Sequence, residues 1–456
     1  MKYAAIALLI ASALVGAETP DGLSPLLHAV YEDDLQQAKA LLTAGADARE
    51  ANRYSFTALH LACANGNEEM VTLLLEAGAD PNATLRGGES AVMTAARTGK
   101  AGPVRALLAR GANANAKNEH GQTAIMWAAV EGHTEMVDLL VKSGADFRAR
   151  LESGYTPMMF AVRERHVNVV RTLLKAGVGI DEPITPGAKS GKPLPSRGYR
   201  LPRPGYTALN LAIENGHFDL AAFLLENGAD PKGGDVGFTP LHQISWVRKT
   251  NIGDAHDAVP EPSGRMTSVE LVRKLVAHGA GVNAAVTKHI RGLSRLNTLG
   301  ATPYFTASRT ADVELMRTLV ELGADPLKPN TDGSTPLMAA AGLGCTAPGE
   351  DPGSPEETLA AVALALKHGG DINSVDRNGE TAMHGAAYKT LPNVVEFLAT
   401  NGARIDIWNR TNKQGWTPLM IAEGRRIGNV KPSPETLAAL HRAMLAAGIK
   451  PESGSR

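Results

Sequence analysis

Residues 57–83 read TALHLACANGNEEMVTLLLEAGADPNA. Thr57 is a helix N-cap type, and the run of small and apolar residues behind it forms a short helix that Gly66 ends. EEMVTLLLEA then sets Val and Leu at helical spacing, and Gly78 closes this second helix in the left-handed region. The next residues, NATLRGGES, turn the chain out and back. Such a helix pair exposes an apolar face that it cannot bury alone, so stable structure requires copies to stack.

The copies are present. SPLLHAV at Ser24, TALHLAC at Thr57, SAVMTAA at Ser90, TAIMWAA at Thr123 and TPMMFAV at Thr156 recur in steps of 33 residues. Further anchors stand at Thr207, Thr239, Thr302, Thr335, Thr381 and Thr417, about eleven in all. GAD or a variant follows 21 residues after an anchor at Gly45, Gly78, Gly111, Gly144, Gly177, Gly228, Gly323 and Gly402. Where Pro follows the anchor, as in TPLH at Thr239–His242, it occupies the first helical position.

With this period and these motifs the chain resembles the ankyrin-repeat family from Asp21 to Gly448. The resemblance implies an all-α solenoid of antiparallel helix pairs, with β-hairpin fingers and a concave binding groove. It also implies that binding other proteins is the usual role and catalysis a rare one. GVG at Gly177–Gly179 and GAG at Gly279–Gly281 depart from the pattern by lacking the acid, and the last repeat carries GIK at Gly448, as a capping repeat would.

Composition agrees with such an array. The chain has 456 residues, 43% hydrophobic but only 4% aromatic, which suits a core of Ala and Leu. Its formal net charge of −1 points to neither nucleic acid nor an acidic ligand in bulk. The opening MKYAAIALLIASALVGAETP has a short positive start, an apolar run and the small-x-small pattern VGA, which reads as a signal peptide over residues 1–17. Residues 18–456 are then expected to form a single array, exported and periplasmic or secreted, with no membrane span in the mature chain. Two cysteines, Cys63 and Cys345, lie far apart in Ala-rich helical stretches and are expected to stay unpaired, which favours a bacterial envelope over eukaryotic secretion.

The period breaks near 182–203, 246–266, 284–298, 342–355 and 424–434. The first and fourth of these breaks add 18 and 13 residues to the regular loop. Breaks near 182–203 and 284–298 fall between repeats and should lengthen fingers beside the groove. The other three fall between the two helices of a repeat and should emerge at the opposite end, away from the groove. Thr267 with Glu270, and Ser354 with Glu357, read as capping boxes that restart the second helix.

No chemistry-bearing motif emerges. GAKSGK at 187–192 has three residues between its glycines where a phosphate loop needs four, and Pro193 follows. The 13 histidines recur at two repeat positions, spaced too far apart to share one metal, and suit hydrogen bonds between turns. Neither cofactor nor metal is called for, and no catalytic cluster is found.

A partner surface is better supported. An aromatic residue precedes the anchor in Phe56, Tyr155, Tyr206, Phe238 and Trp416, at the finger base, where it can pack or meet a partner. Trp127 joins them from the first helix of its repeat. The extended fingers supply Lys189, Lys192, Arg197, Arg200 and Arg203, then Lys288, Arg291 and Arg295, with Arg163, Arg165 and Arg309 near ends of first helices. The expected partner is another protein, with an acidic one fitting the basic fingers. The first alternative is a polyanion, nucleic acid or acidic glycan, bound by those same fingers with a steep salt dependence, and the second, less favoured, is an enzyme or enzyme accessory subunit.

Overall fold

The computed structural model describes residues 24–52, 55–187, 204–249, 260, 262–288, 295–349, 351–426 and 431–450. The chain divides into two compact blocks. The N-terminal block is Met1–Gly179 with Pro186–Ser190, and the C-terminal block is Ile180–Thr185 with Gly191–Arg456.

In the N-terminal block the described residues form five helix pairs: Pro25–Tyr31 with Leu35–Thr43, Ala58–Asn65 with Glu68–Glu76, Ala91–Thr98 with Ala101–Ala109, Ala124–Glu131 with Thr134–Lys142, and Pro157–Arg163 with Val167–Lys175. First helices pack on first helices and second on second. The anchors act as read: Thr57, Ser90 and Thr156 accept the backbone N–H three residues on. Gly66, Gly99 and Gly132 end the first helices at φ of 69°, 74° and 77°, a conformation open to glycine at little cost. The first helices meet closely because Ala62, Ala95, Ala96, Ala128, Ala129 and Ala161 are fully buried between them. The second helices bury Met70, Val71, Leu74, Val104, Leu107, Met136, Val137 and Leu140, each large side chain contributing about 1.5–3 kcal/mol.

The fingers turn as hairpins, but each is closed by very few backbone bonds. Leu85 N–H reaches Glu89 O at 2.8 Å, Asn118 N–H reaches Gln122 O at 3.1 Å and Leu151 N–H reaches Tyr155 O at 2.9 Å. Among the described residues only two isolated bridges result, Ala51↔Thr57 and Thr84↔Ser90. Side chains replace the missing ladder: Asn118 Oδ1 accepts from His120 N–H at 3.0 Å and Gln122 N–H at 2.9 Å.

Two clasps join neighbouring repeats. Asn82 Oδ1 accepts from Asn113 N–H at 2.8 Å while its Nδ2 donates to Gly111 O at 3.3 Å; Asn115 does the same to Asp146 N–H at 2.6 Å and Gly144 O at 3.1 Å. The imidazole Nε2 of His133 lies 3.0 Å from Arg97 O, and that of His166 lies 2.8 Å from Val130 O. Each ring sits against the glycine that ends the preceding first helix, Gly99 and Gly132, and would collide with a Cβ there.

The C-terminal block has six pairs among its described residues: Ala208–Glu214 with Phe218–Glu226, Pro240–Arg248 with Ser268–Ala277, Pro303–Arg309 with Val313–Glu321, Pro336–Ala340 with Pro355–Lys367, Ala382–Tyr388 with Pro392–Thr400, and Pro418–Ala422 with Pro434–Ala446. Both capping boxes form: Thr267 N–H donates to Glu270 Oε2 at 2.7 Å and Ser354 N–H to Glu357 Oε2 at 2.9 Å, with the reciprocal bonds in place.

One expectation about the insertions is corrected. The break near 246–266 does stay by the inter-helix turn, where Ser263 N–H reaches Gly216 O at 3.1 Å. The breaks at 342 and 424 begin differently. Their first helices are only five residues long, and Gly342, Gly344 and Gly424 (φ 102°, 80° and 82°) turn the chain back toward the fingers. Arg295 N–H, from a finger, then bonds Gly344 O at 2.9 Å.

Candidate partner-binding surface

A repeating side-chain pair lines the first helix of several repeats. The residue before the anchor and the residue eight positions on lie side by side along the helix. They are Glu89 with Arg97 at 3.6 Å, Tyr155 with Arg163 (guanidinium 5.7 Å from the ring centre), Phe238 with Trp246 at 4.9 Å between ring centres, and Glu380 with Tyr388 at 2.8 Å. This spacing was present in the sequence, yet it crosses two helical turns and a loop residue, so helix periodicity alone does not expose it.

In the N-terminal block this face gathers several of the expected residues. Arg97 stacks 5.3 Å from the ring centre of Trp127, which is half-buried. Arg163 covers both Tyr155 and Phe160, and its Nε bonds Glu164 at 2.8 Å. Phe56 is half-buried at its finger base. Tyr155 is only 7% exposed, so it serves as a bed for Arg163 rather than as a contact surface of its own. Arg165 is exposed in the inter-helix turn at φ 62°, apart from this face.

In the C-terminal block two expected contact rings belong to the core. Tyr206 is 1% exposed and Phe238 4%, because they meet edge to face at 6.2 Å and Phe238 stacks in turn on Trp246. Adjacent repeats bearing rings at the same position bury each other, which corrects the expectation of partner contact for these two. Lys288 bonds Asp235 of the preceding finger at 2.8 Å, and Arg309 lies 3.6 Å from Asp351. The expected Lys189, Lys192, Arg197, Arg200, Arg203 and Arg291 lie outside the described residues.

The same block holds a cleft of about 270 Å³ that sequence reading missed. Finger residues Asn297, Asp332, Asp376 and Trp416 line it together with Cys345, Tyr388 and Arg426. Only the early helix ends bring Cys345 and Arg426 to this place. Tyr388 O–H donates to Glu380 Oε1, which also accepts from Asn412 Nδ2 at 3.0 Å. Burial holds the Glu380 carboxyl above its usual range.

The recurring histidines of the TPLH slot are structural. Nδ1 of His60, His242 and His384 lies 2.9, 2.9 and 3.0 Å from the hydroxyl of the anchor threonine. Burial lowers each imidazole to about 4. Cys63 and Cys345 are free and buried, and burial raises both thiols. Among the described residues no group of three His, Cys, Asp or Glu side chains is arranged to hold a metal.

A family model for ankyrin repeats matches residues 2–85, 92–184 and 356–431, more than half of the chain. A second, for a single ankyrin repeat, matches residues 204–233. The chain is similar to the E3 ubiquitin-protein ligase KEG of Arabidopsis thaliana, 27% identical over 243 residues that cover 46% of this chain and 14% of that protein. It is also similar to the B-cell lymphoma 3 protein homolog of Mus musculus, 33% identical over 138 residues that cover 30% and 24% of the two chains. The matches thus span 14% and 24% of the length of these relatives.

Proposed function

This chain belongs to the ankyrin-repeat family, and on that premise we propose that it is a non-catalytic scaffold, exported from the cytoplasm, that holds another protein against the finger-side face of its first helices. The observation that carries this reading is the ring-and-guanidinium surface of the N-terminal block. Trp127 is half-buried under Arg97, its indole N–H has no acceptor among the described residues, and Arg163 is spread over Tyr155 and Phe160 nearby. Aromatic and Arg side chains that are partly exposed on a rigid face are the residue types that anchor protein interfaces. Backbone groups of the fingers are met by side-chain oxygens, so the face is set before a partner arrives.

The polyanion reading fares less well. Lys288, Arg309 and Arg163 each stand beside a carboxylate, on Asp235, Asp351 and Glu164, which reduces the field they present to phosphates. Ligase chemistry is not carried over from the plant relative, since the shared part is 14% of that protein. No helix among the described residues is long and apolar enough to cross a membrane.

The test is site-specific photo-crosslinking from position 56, the half-buried finger base of the N-terminal block, in the full chain, followed by capture, with Trp127→Ala and a chain lacking residues 186–204 compared alongside. One protein crosslinked in saturable fashion, and lost with Trp127→Ala, is the expected result. Crosslinks to nucleic acid or glycan alone would overturn the reading. N-terminal sequencing of the secreted or periplasmic fraction checks export, with a mature chain starting at residue 18 expected and a cytoplasmic chain retaining Met1 counting against it.

A further inference from the structure

Arg426 is 9% exposed and lines the cleft of the C-terminal block. Its Nη1 donates to two backbone carbonyls, Tyr388 O at 2.8 Å and Cys345 O at 3.2 Å, so both Nη1 hydrogens are engaged. Nε and Nη2 are buried and have no acceptor among the described residues. No ion pair joins Arg426 to a described carboxylate; its guanidinium lies 5.6 Å from the ring centre of Tyr388 instead. That ring is itself held by the bond from its hydroxyl to Glu380 and by Asn412 Nδ2 at 3.0 Å. Nε–H and the adjacent Nη2–H are the side-on fork of a guanidinium, the edge that pairs bidentately with a carboxylate or phosphate. A buried cation whose fork is bare is costly unless something supplies the anion.

The cleft selects between the two anions. Asp332, Asp376 and Glu380 line it together with Arg295 and Arg426. Asp376 is spent on Ser334 Oγ at 2.8 Å and on two finger amides. Such a lining opposes a phosphate dianion more than a carboxylate. The finger residues and Trp416 that line the cleft belong to the finger side of the first helices, the surface on which the scaffold reading seats a partner. We propose that this cleft is a carboxylate-binding site in which the Nε/Nη2 fork of Arg426 grips a carboxylate of the partner polypeptide, from an acidic side chain or a chain end; the identity of the donor rests on the scaffold reading.

The full chain is titrated with acetate and, separately, with inorganic phosphate, following arginine Nε–H resonances by NMR. Acetate is expected to shift the Arg426 resonance saturably at millimolar levels, with phosphate at least about tenfold weaker. Arg426→Lys, which keeps the charge but not the fork, should lose acetate binding at least about tenfold while retaining the wild-type circular dichroism spectrum. Acetyl-Gly-Glu-Gly-amide against acetyl-Gly-Gly-Gly with a free carboxylate separates side-chain from chain-end recognition. An Arg426 resonance unmoved by acetate, or acetate bound equally by Arg426→Lys, would overturn the site. Phosphate binding as tight as acetate would overturn the choice of carboxylate. Should acetate bind while Arg426→Lys still captures the crosslinked partner in full, the partner would not be the carboxylate donor and the scaffold reading would stand.

Discussion

Asp312→Ala should cost about 4 kcal/mol, nearly all of it at one junction between repeats. Asp312 Oδ2 accepts Arg248 Nε at 2.5 Å and Oδ1 accepts Nη2 at 3.1 Å, while Oδ1 also caps the helix Val313–Glu321 through Leu315 N–H at 3.1 Å. The Asp312 side chain is 2% exposed and that of Arg248 is 17%. Removing one member of a buried pair typically costs 3–5 kcal/mol because it leaves a charge uncompensated. Here Arg248 keeps Glu314 at 2.7 Å, but that carboxylate is 68% exposed and screened, so the lower end applies, about 3 kcal/mol. Loss of the cap adds about 1 kcal/mol. Asp312→Asn retains an oxygen for Leu315 N–H and should cost about 2 kcal/mol. Arg248→Met combined with Asp312→Ala removes the stranded cation and should recover a similar amount. Urea unfolding gives the total. Native-state hydrogen exchange gives the location, since stacked repeats lose stability at the affected junction first. A change under about 0.5 kcal/mol for Asp312→Ala, or strictly additive single mutants, would refute the reasoning.

Two further outcomes are expected. His60, His242 and His384 sit near 4 when folded against 6.5 ordinarily, so the unfolded chain takes up their protons first; stability should be full above pH 6.5 and fall as pH drops from 6.5 to 4, by up to about 3 kcal/mol per histidine. Two of the three lie in the C-terminal block, so acid exchange data should show that block weakening more, and His242→Gln should flatten its profile; stability constant over this range would contradict the assignment. Asn115→Ala removes both clasp bonds at an exposed site and should cost about 1–2 kcal/mol, read as faster exchange of the Asp146 amide. Asn115→Asp should not rescue it, because the atom facing Gly144 O becomes an acceptor.

The repeat was legible because its signals are local. Anchor threonines, terminating glycines, alanine pairs and the two capping boxes each depend on residues within a few positions. The candidate site was legible only where a single repeat builds it, as Arg163 over Tyr155 shows. Tyr206 and Phe238 look equivalent to Phe56 in the sequence, and burial separates them because each has a ring in the adjacent repeat. The cleft depends on contacts 38 and 81 positions apart, from Arg426 to Tyr388 and Cys345, made possible by two first helices that stop after five residues. Gly342, Gly344 and Gly424 marked those stops, yet glycine alone does not say which way the chain turns.

The finger-to-finger bonds have a mechanical consequence. Glu119 N–H to Gly87 O in one block, and Arg377 N–H to Asp332 O and Lys413 N–H to Asn378 O in the other, give these junctions one main-chain bond each at the tips. Under tension along a block these bonds lie in series, not in parallel like those of a sheet sheared lengthwise. Load therefore breaks them singly, and a tethered block would yield by peeling one helix pair at a time at low force. A partner seated across several first helices would bridge those junctions and act as a splint, converting a compliant spring into a stiff rod.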